Sequence, residues 1–135
     1  MAAPNDADVV RVFTNEVGEA FADVALPVNA DFEVTVEAEA GSALLAGGDQ
    51  FETNIVVQDI TANNNIPSAP AAGFSGQIGS AAWPNANQTF RYRVAAADLA
   101  GRENHVCQAL AWLAVGLNNQ DVSFVQSANF ILTRA

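Results

Sequence analysis

The stretch of sequence that decides the fold is Asp31–Glu39, which reads DFEVTVEAE. Apolar side chains occupy every second position over Phe32–Ala38, and glutamate or threonine fills the positions between them. Because successive side chains of a strand point to opposite faces, this pattern indicates a β-strand that is buried on one face only. The glycines at Gly41 and Gly47–Gly48 predict that a turn follows this strand.

Six further segments favour strands because β-forming residues alternate in them and turn residues separate them. They are Val9–Thr14, Phe51–Ile60, Phe74–Ala82, Gln88–Ala97, His105–Gly116 and Asp121–Arg134. The stretch Gln126–Ala128 is a candidate bulge in the last strand. Short strands at this spacing predict an all-β fold, a two-sheet antiparallel sandwich of about seven strands. The length of 135 residues suits one core, so residues 1–135 are expected to form a single domain.

Residues 105–117 fit two kinds of element. As a strand, Leu110 and Trp112 lie on one face and Leu113 lies on the other, so both faces are apolar, as in a central strand. As a helix, the segment has Asn104 as a possible cap and an apolar stripe. The strands and short turns around it favour the strand. The residues predicted to form the core are Val34, Val36, Ile55, Val57, Phe90, Tyr92, Val94, Leu110 and Phe130.

Cys107 is the single cysteine and His105 the single histidine. An internal disulfide is therefore excluded, and so are zinc sites built on several thiolates or imidazoles. Apolar neighbours predict that Cys107 is buried and unreactive. His105 would share a strand face with Cys107, but no second histidine is present to complete a catalytic relay. We expect no catalytic residues, no metal and no cofactor.

The charge balance excludes two classes of partner. The formal net charge is −10, with only five basic residues, so neither a nucleic acid nor an anionic membrane surface is an expected ligand. Met1–Asp8 lacks the basic start and apolar centre of a signal peptide, and no apolar stretch is long enough to span a membrane. The chain as given is therefore expected to be cytoplasmic, unless it has been trimmed from a longer one.

The segment Ala97–Ala109 resembles the turn between the fifth and sixth strands of immunoglobulin-like domains. Asp98 and Gly101 match that turn loosely, His105 stands where the family has a tyrosine, and Cys107 stands at its second cysteine. The first cysteine and the third-strand tryptophan of the family have no counterpart. The resemblance is one of architecture, and it implies an immunoglobulin-like sandwich without implying an activity.

If the strands are arranged in that way, three connections share one end of the sandwich. An exposed indole beside amide and carboxylate groups is typical of a sugar-binding or peptide-binding surface. The alternative is that Trp83 plugs the end of the sandwich while the asparagines only form turns. The candidate ligand-binding residues are Trp83, Asn85, Asn118, Asn119 and Asp121.

Two functional hypotheses follow from these observations. The first is a non-enzymatic interaction or structural module that associates with copies of itself or with another protein. The second is a small, lectin-like carbohydrate-binding domain that uses Trp83 and the neighbouring Asn and Asp residues to bind a glycan.

Overall fold

The secondary structure is dominated by strands in the part of the chain that the computed structural model describes, residues 6–116 and 121–134. One short helix, α1 (Ser42–Gly47), and one 3-10 helix (Ala96–Leu99) accompany them. The strands are β1 (Ala7–Glu16), β2 (Ala25–Pro27), β3 (Phe32–Ala40), β4 (Gln50–Asp59), β5 (Asn64–Ile66), β6 (Phe74–Gln77), β7 (Asn87–Val94), β8 (Val106–Val115), β9 (Asp121–Gln126) and β10 (Phe130–Thr133).

These strands form two sheets. The smaller sheet has the order β1-β3-β7, and the larger has the order β2-β10-β8-β4-β5, with β6 also paired to β4 and β9 also paired to β8. The predicted all-β fold of two sheets is therefore confirmed. The expectation that the pairing is antiparallel throughout is wrong at one place, because β2 runs parallel to β10, with Leu26 opposite Leu132.

The described residues contain ten strand segments, whereas the sequence predicts about seven. Two of the extra segments, β2 and β5, have three residues each, which is too short for an alternating pattern to reveal. The predicted last strand is divided into β9 and β10 at Ser127. The Ser127 hydroxyl accepts a hydrogen bond from the Ala109 N–H (2.9 Å) and donates one to the Ala128 carbonyl (2.9 Å). The interruption falls on the predicted bulge.

The buried residues of both sheets pack into one hydrophobic core. The alternation in β3 has its predicted result, since Phe32, Val34, Val36 and Ala38 all point inward and are buried. The other predicted core residues that are buried are Ile55, Val57, Phe90, Tyr92, Val94 and Phe130.

The ambiguous segment is a strand over Val106–Val115, and the helical alternative is wrong for these residues. β8 lies between β4 and the β9–β10 edge, so its backbone pairs on both sides. One face of β8 is buried, with Leu113 only 1% exposed. Leu110 and Trp112 lie on the other face and are only partly buried. The prediction that Leu110 belongs to the core is therefore wrong, because no second layer of the described chain fully covers that face.

The predicted turn after β3 contains the helix α1. It ends at Gly48, which adopts the left-handed conformation (φ 66°) and donates its N–H to the Leu44 carbonyl. A glycine is suited to this position because it has no Cβ to strain the backbone. Leu44 is buried, so α1 closes one end of the core. Among the described residues, none of the helices has the length and apolar character needed to cross a membrane.

Candidate functional site

The predicted ligand-binding end of the sandwich does bring its connections together. The Ile78 N–H donates to the Asp49 carbonyl (2.8 Å), and the Gly116 N–H donates to the Gln50 carbonyl (2.9 Å). The segments after β3 and before β7 therefore meet at one end, and Gly116 at the end of β8 joins them there, while residues 117–120 of the third connection lie outside the described residues.

Trp83, however, is fully buried, and its expected role as an exposed aromatic platform is wrong. Its indole packs edge-on against Phe51 and Phe90, with ring centroids 5.1 and 5.6 Å away. The backbone explains this placement: the Trp83 backbone N–H donates to the Ser80 carbonyl, and the Trp83 carbonyl accepts a hydrogen bond from the Gly79 N–H. This tight loop turns the indole into the core, where it plugs the end of the sandwich.

The remaining candidates at this end no longer have the exposed indole that Trp83 was expected to supply. Asn85 and Asp121 are exposed, while Asn118 and Asn119 lie outside the described residues. A binding role for these four residues stays a prediction.

A polar cluster joins the other end of β4 to the loop that precedes β8. Asp59 is fully buried, and its carboxylate accepts hydrogen bonds from the Arg102 guanidinium (2.7 Å) and from the Ala62 N–H (2.9 Å). His105 Nδ1 lies 2.7 Å from the same carboxylate. Arg102 also donates to the Asn64 side-chain oxygen (2.6 Å). The cluster ties three chain segments together, and we refer to Asp59, Arg102 and His105 as the carboxylate pin.

The electrostatics of the pin favour a structural role. Burial alone would raise the pKa of Asp59, but hydrogen bonds from His105, Ala62 and Arg102 outweigh burial and hold that pKa below its ordinary value. The carboxylate is thus a stable anion that is fully engaged in bonding. Cys107, opposite Asp59 in the β4–β8 register, is also buried. Burial, assisted by the Asp59 charge, raises the pKa of the Cys107 thiol to about 12, so the nucleophilic thiolate is disfavoured.

The outer face of the smaller sheet is charged and internally paired. Arg91 lies 3.6 Å from Glu33 on the neighbouring strand, and Arg93 lies 2.8 Å from Asp31. Thr35 donates to the Asn15 side chain (2.7 Å) in the middle of this face. A face that carries cross-strand ion pairs is adapted to water.

The outer face of the larger sheet has the opposite character. Its most exposed members are Phe124 (64%) and Val122 (45%), and Val56 is 39% exposed. Among the outward side chains of the described strands β4, β8, β9 and β10, Glu52 alone is charged. We refer to the following residues as the apolar face: Val56, Val106, Leu110, Trp112, Val122, Phe124 and Ile131.

The strand register arranges the apolar face as one larger patch and one smaller patch. Trp112 of β8 lies directly opposite Phe124 of β9. Two residues earlier along β8, on the same face, Leu110 lies opposite Val56 of β4. Ile131 of β10 lies opposite Val106. Directly opposite side chains on one face are about 5 Å apart, so the Trp112–Phe124 and Leu110–Val56 rows form one surface, and the Gln108–Gln58 row separates it from Val106 and Ile131. A contiguous exposed apolar surface is a feature of interaction sites rather than of ordinary solvated faces.

The sequence contains a signal for this surface, although the predicted site lies elsewhere. The two faces of β8 are both apolar, which is typical of a strand covered on both sides. In the structure only one side is covered by the core. The second apolar face of this central strand is therefore left without a covering layer in the described part of the chain.

Metal chemistry finds no support in the described part of the chain. Over residues 6–116 and 121–134, no group of three or more His, Cys, Asp or Glu side chains is placed to hold a metal ion. Compared with known proteins, the chain matches no protein-family model, and no curated protein is similar enough to count as a relative.

Proposed function

We propose that this chain is a non-enzymatic interaction module that docks a protein partner through the apolar face. The observation that carries the proposal is the contrast between the two outer faces of the sandwich. One carries charged side chains that pair across strands, and the other carries valine, leucine, tryptophan and phenylalanine side chains with uncharged amides and Glu52 among them.

The energetics of exposure support this choice of face. Each apolar side chain that a partner covers contributes about 25 cal/mol for every square ångström removed from water. Phe124 and Trp112 are aromatic, and aromatic side chains are enriched among the residues that dominate binding energy. Their cross-strand pairing puts them side by side on the face.

The polar groups that could suggest catalysis have other roles. The Asp59 carboxylate holds the pin together, and its hydrogen bonds from Arg102 and Ala62 are short. The Cys107 thiol is buried and protonated at neutral pH. These features favour an interaction module over an enzyme that would use His105 and Cys107. The lectin-like alternative loses its aromatic platform because Trp83 is buried.

We also propose that the sandwich is of immunoglobulin-like type. The strand order supports this, with β1, β3 and β7 in one sheet and β4, β8 and the β9–β10 edge in the other. The start of the chain contributes to both sheets, β1 to the smaller and β2 to the larger.

Site-specific photocrosslinking tests the docking role. A benzophenone amino acid replaces Phe124 in one variant and Phe21 in the other. Phe21 is the matched control, since it is 78% exposed but lies in the loop between β1 and β2. Irradiation in the producing cells should yield a discrete protein adduct from position 124 and none from position 21. If position 124 gives no adduct, or both positions give the same adducts, the proposal is wrong.

A further inference from the structure

We infer that the partner at the apolar face is a second copy of this chain, related to the first by a two-fold axis that lies along the Trp112–Phe124 row. This inference rests on the proposed docking role of that face. Two copies joined in this way would bury the same surface on both sides, as in most homodimers.

The charge distribution favours a second copy over an oppositely charged partner. The chain has a formal net charge of −10. If its partner were basic, the docking face would be expected to be rich in acidic residues. The apolar face instead carries Glu52 as its one charged outward residue among the described strands β4, β8, β9 and β10. A surface that is nearly uncharged can pack against itself without burying like charges.

The remaining acids do not prevent this pairing. The glutamates of β3 lie on the far side of the sandwich, behind a second sheet about 10 Å away. In a face-to-face pair they are therefore about 20 Å or more from their counterparts in the other copy, well beyond the screening length of about 8 Å at physiological salt. Glu52 lies towards one end of the face, opposite Ala114. A two-fold axis along the Trp112–Phe124 row runs the paired strands in opposite directions and places the two Glu52 side chains one row to either side of it, about 13 Å apart along the strands and beyond the screening length.

The size of the face is also compatible with a dimer. The face is three strands wide, because β9 and β10 pair with the same edge of β8. Strands about 4.8 Å apart and up to ten residues long, at about 3.3 Å per residue, give a footprint of roughly 480 Å². A standard specific interface covers about 800 Å² on each partner, and weaker ones cover less. The sheet face with its rim is thus large enough for a reversible dimer.

The amide side chains on this face fit a self-complementary contact as well. Asn54 donates to the Ala71 carbonyl (3.0 Å), and Gln108 donates to the Ser127 carbonyl (3.0 Å). One N–H of each amide already has a partner within the chain, so covering the pair leaves fewer polar groups without hydrogen bonds. Asn54 lies opposite Trp112 and Gln108 lies one row beyond Leu110, and both side chains are held in place before association.

Sedimentation velocity of the full chain tests the inference. Between about 10 μM and 1 mM, a range in which weak interfaces become populated, the average mass should rise towards twice that of one chain.

The variant Phe124→Ser should weaken association at least tenfold, as expected for an aromatic anchor at an interface. The matched variant Phe21→Ser should associate like the parent. A second variant, Val56→Glu, places a charge on the outer face of β4 and should also weaken association, which guards against a folding defect in Phe124→Ser.

Three outcomes overturn the inference: a parent that stays monomeric throughout, association that continues undiminished in both face variants, or equal weakening by Phe21→Ser. The photocrosslinking experiment separates this failure from failure of the proposed function. An adduct at position 124 with a different protein contradicts the second copy and retains the docking role. The absence of any adduct contradicts both.

Discussion

At the scale of single residues, Leu113 and Leu110 show how much the environment changes across one strand. Leu113 is 1% exposed in the core, whereas Leu110 lies three positions earlier on the partly exposed outer face. Leu113→Ala should cost about 2–5 kcal/mol in the free energy of unfolding, because it leaves a cavity in a packed core. Leu110→Ala should cost clearly less. Urea unfolding monitored by circular dichroism at low protein concentration measures both.

If Leu113→Ala and Leu110→Ala lowered the free energy of unfolding by the same amount, the assignment of faces on β8 would be contradicted. Low concentration matters because self-association would add a contribution from the covered face to the apparent stability of the parent.

Residue-level prediction from the sequence worked where local alternation determines the outcome. The inward positions of β3 and β7 follow from period-two patterning alone, and they are buried as expected. Trp83 could not be placed in this way, because its burial depends on hydrogen bonds within the loop and on the distant ring of Phe51. Leu110 was misplaced because apolar character alone does not distinguish a face covered by the core from a face left open.

At the scale of elements, the carboxylate pin makes stability depend on acidity. The pKa of Asp59 is lower in the folded chain than its ordinary value of 3.8. The stabilisation from this group is therefore complete above that ordinary value and is lost as the pH falls through the lower folded value. Asp59→Asn should cost about 2–4 kcal/mol near neutral pH, since it weakens hydrogen bonds to a buried charge.

Chemical unfolding of the parent and of Asp59→Asn across the acid range measures this effect. The difference in unfolding free energy between the two proteins should shrink as the pH falls below about 4. Asp8→Asn, at an exposed position of β1, serves as the control and should change stability little. A pH-independent gap between parent and Asp59→Asn would count against the pin.

The elements that the sequence did not predict are those held by distant partners. β2 has three residues, and its position is set by parallel pairing with β10, far along the chain. The helix α1 lies in a segment rich in glycine and alanine, which reads as a turn, and the burial of Leu44 against the core stabilises it. Short elements of this kind have too few residues for a periodic signal.

At the scale of the whole molecule, acidic charge and an apolar face act against each other in self-association. Two chains of net charge −10 repel at long range, whereas the apolar contact attracts at short range. Raising sodium chloride from about 50 mM to about 500 mM shortens the screening length severalfold, so the dimer fraction should increase. Light scattering at fixed protein concentration measures the change. Dissociation by salt would instead indicate that attraction between opposite charges holds the copies together.

The measurement that tests the central claim most directly is hydroxyl-radical footprinting of the native chain at rising concentration. It reports the exposure of Phe124 and of Phe21 in the same molecule, so the loop residue serves as an internal control. Both are well exposed in the single chain, at 64% and 78%. If the apolar face is the interface between two copies, oxidation of Phe124 should fall as the concentration rises while that of Phe21 stays constant. Unchanged oxidation of Phe124 at concentrations where the chain associates, or protection of Phe21 in its place, would contradict the account.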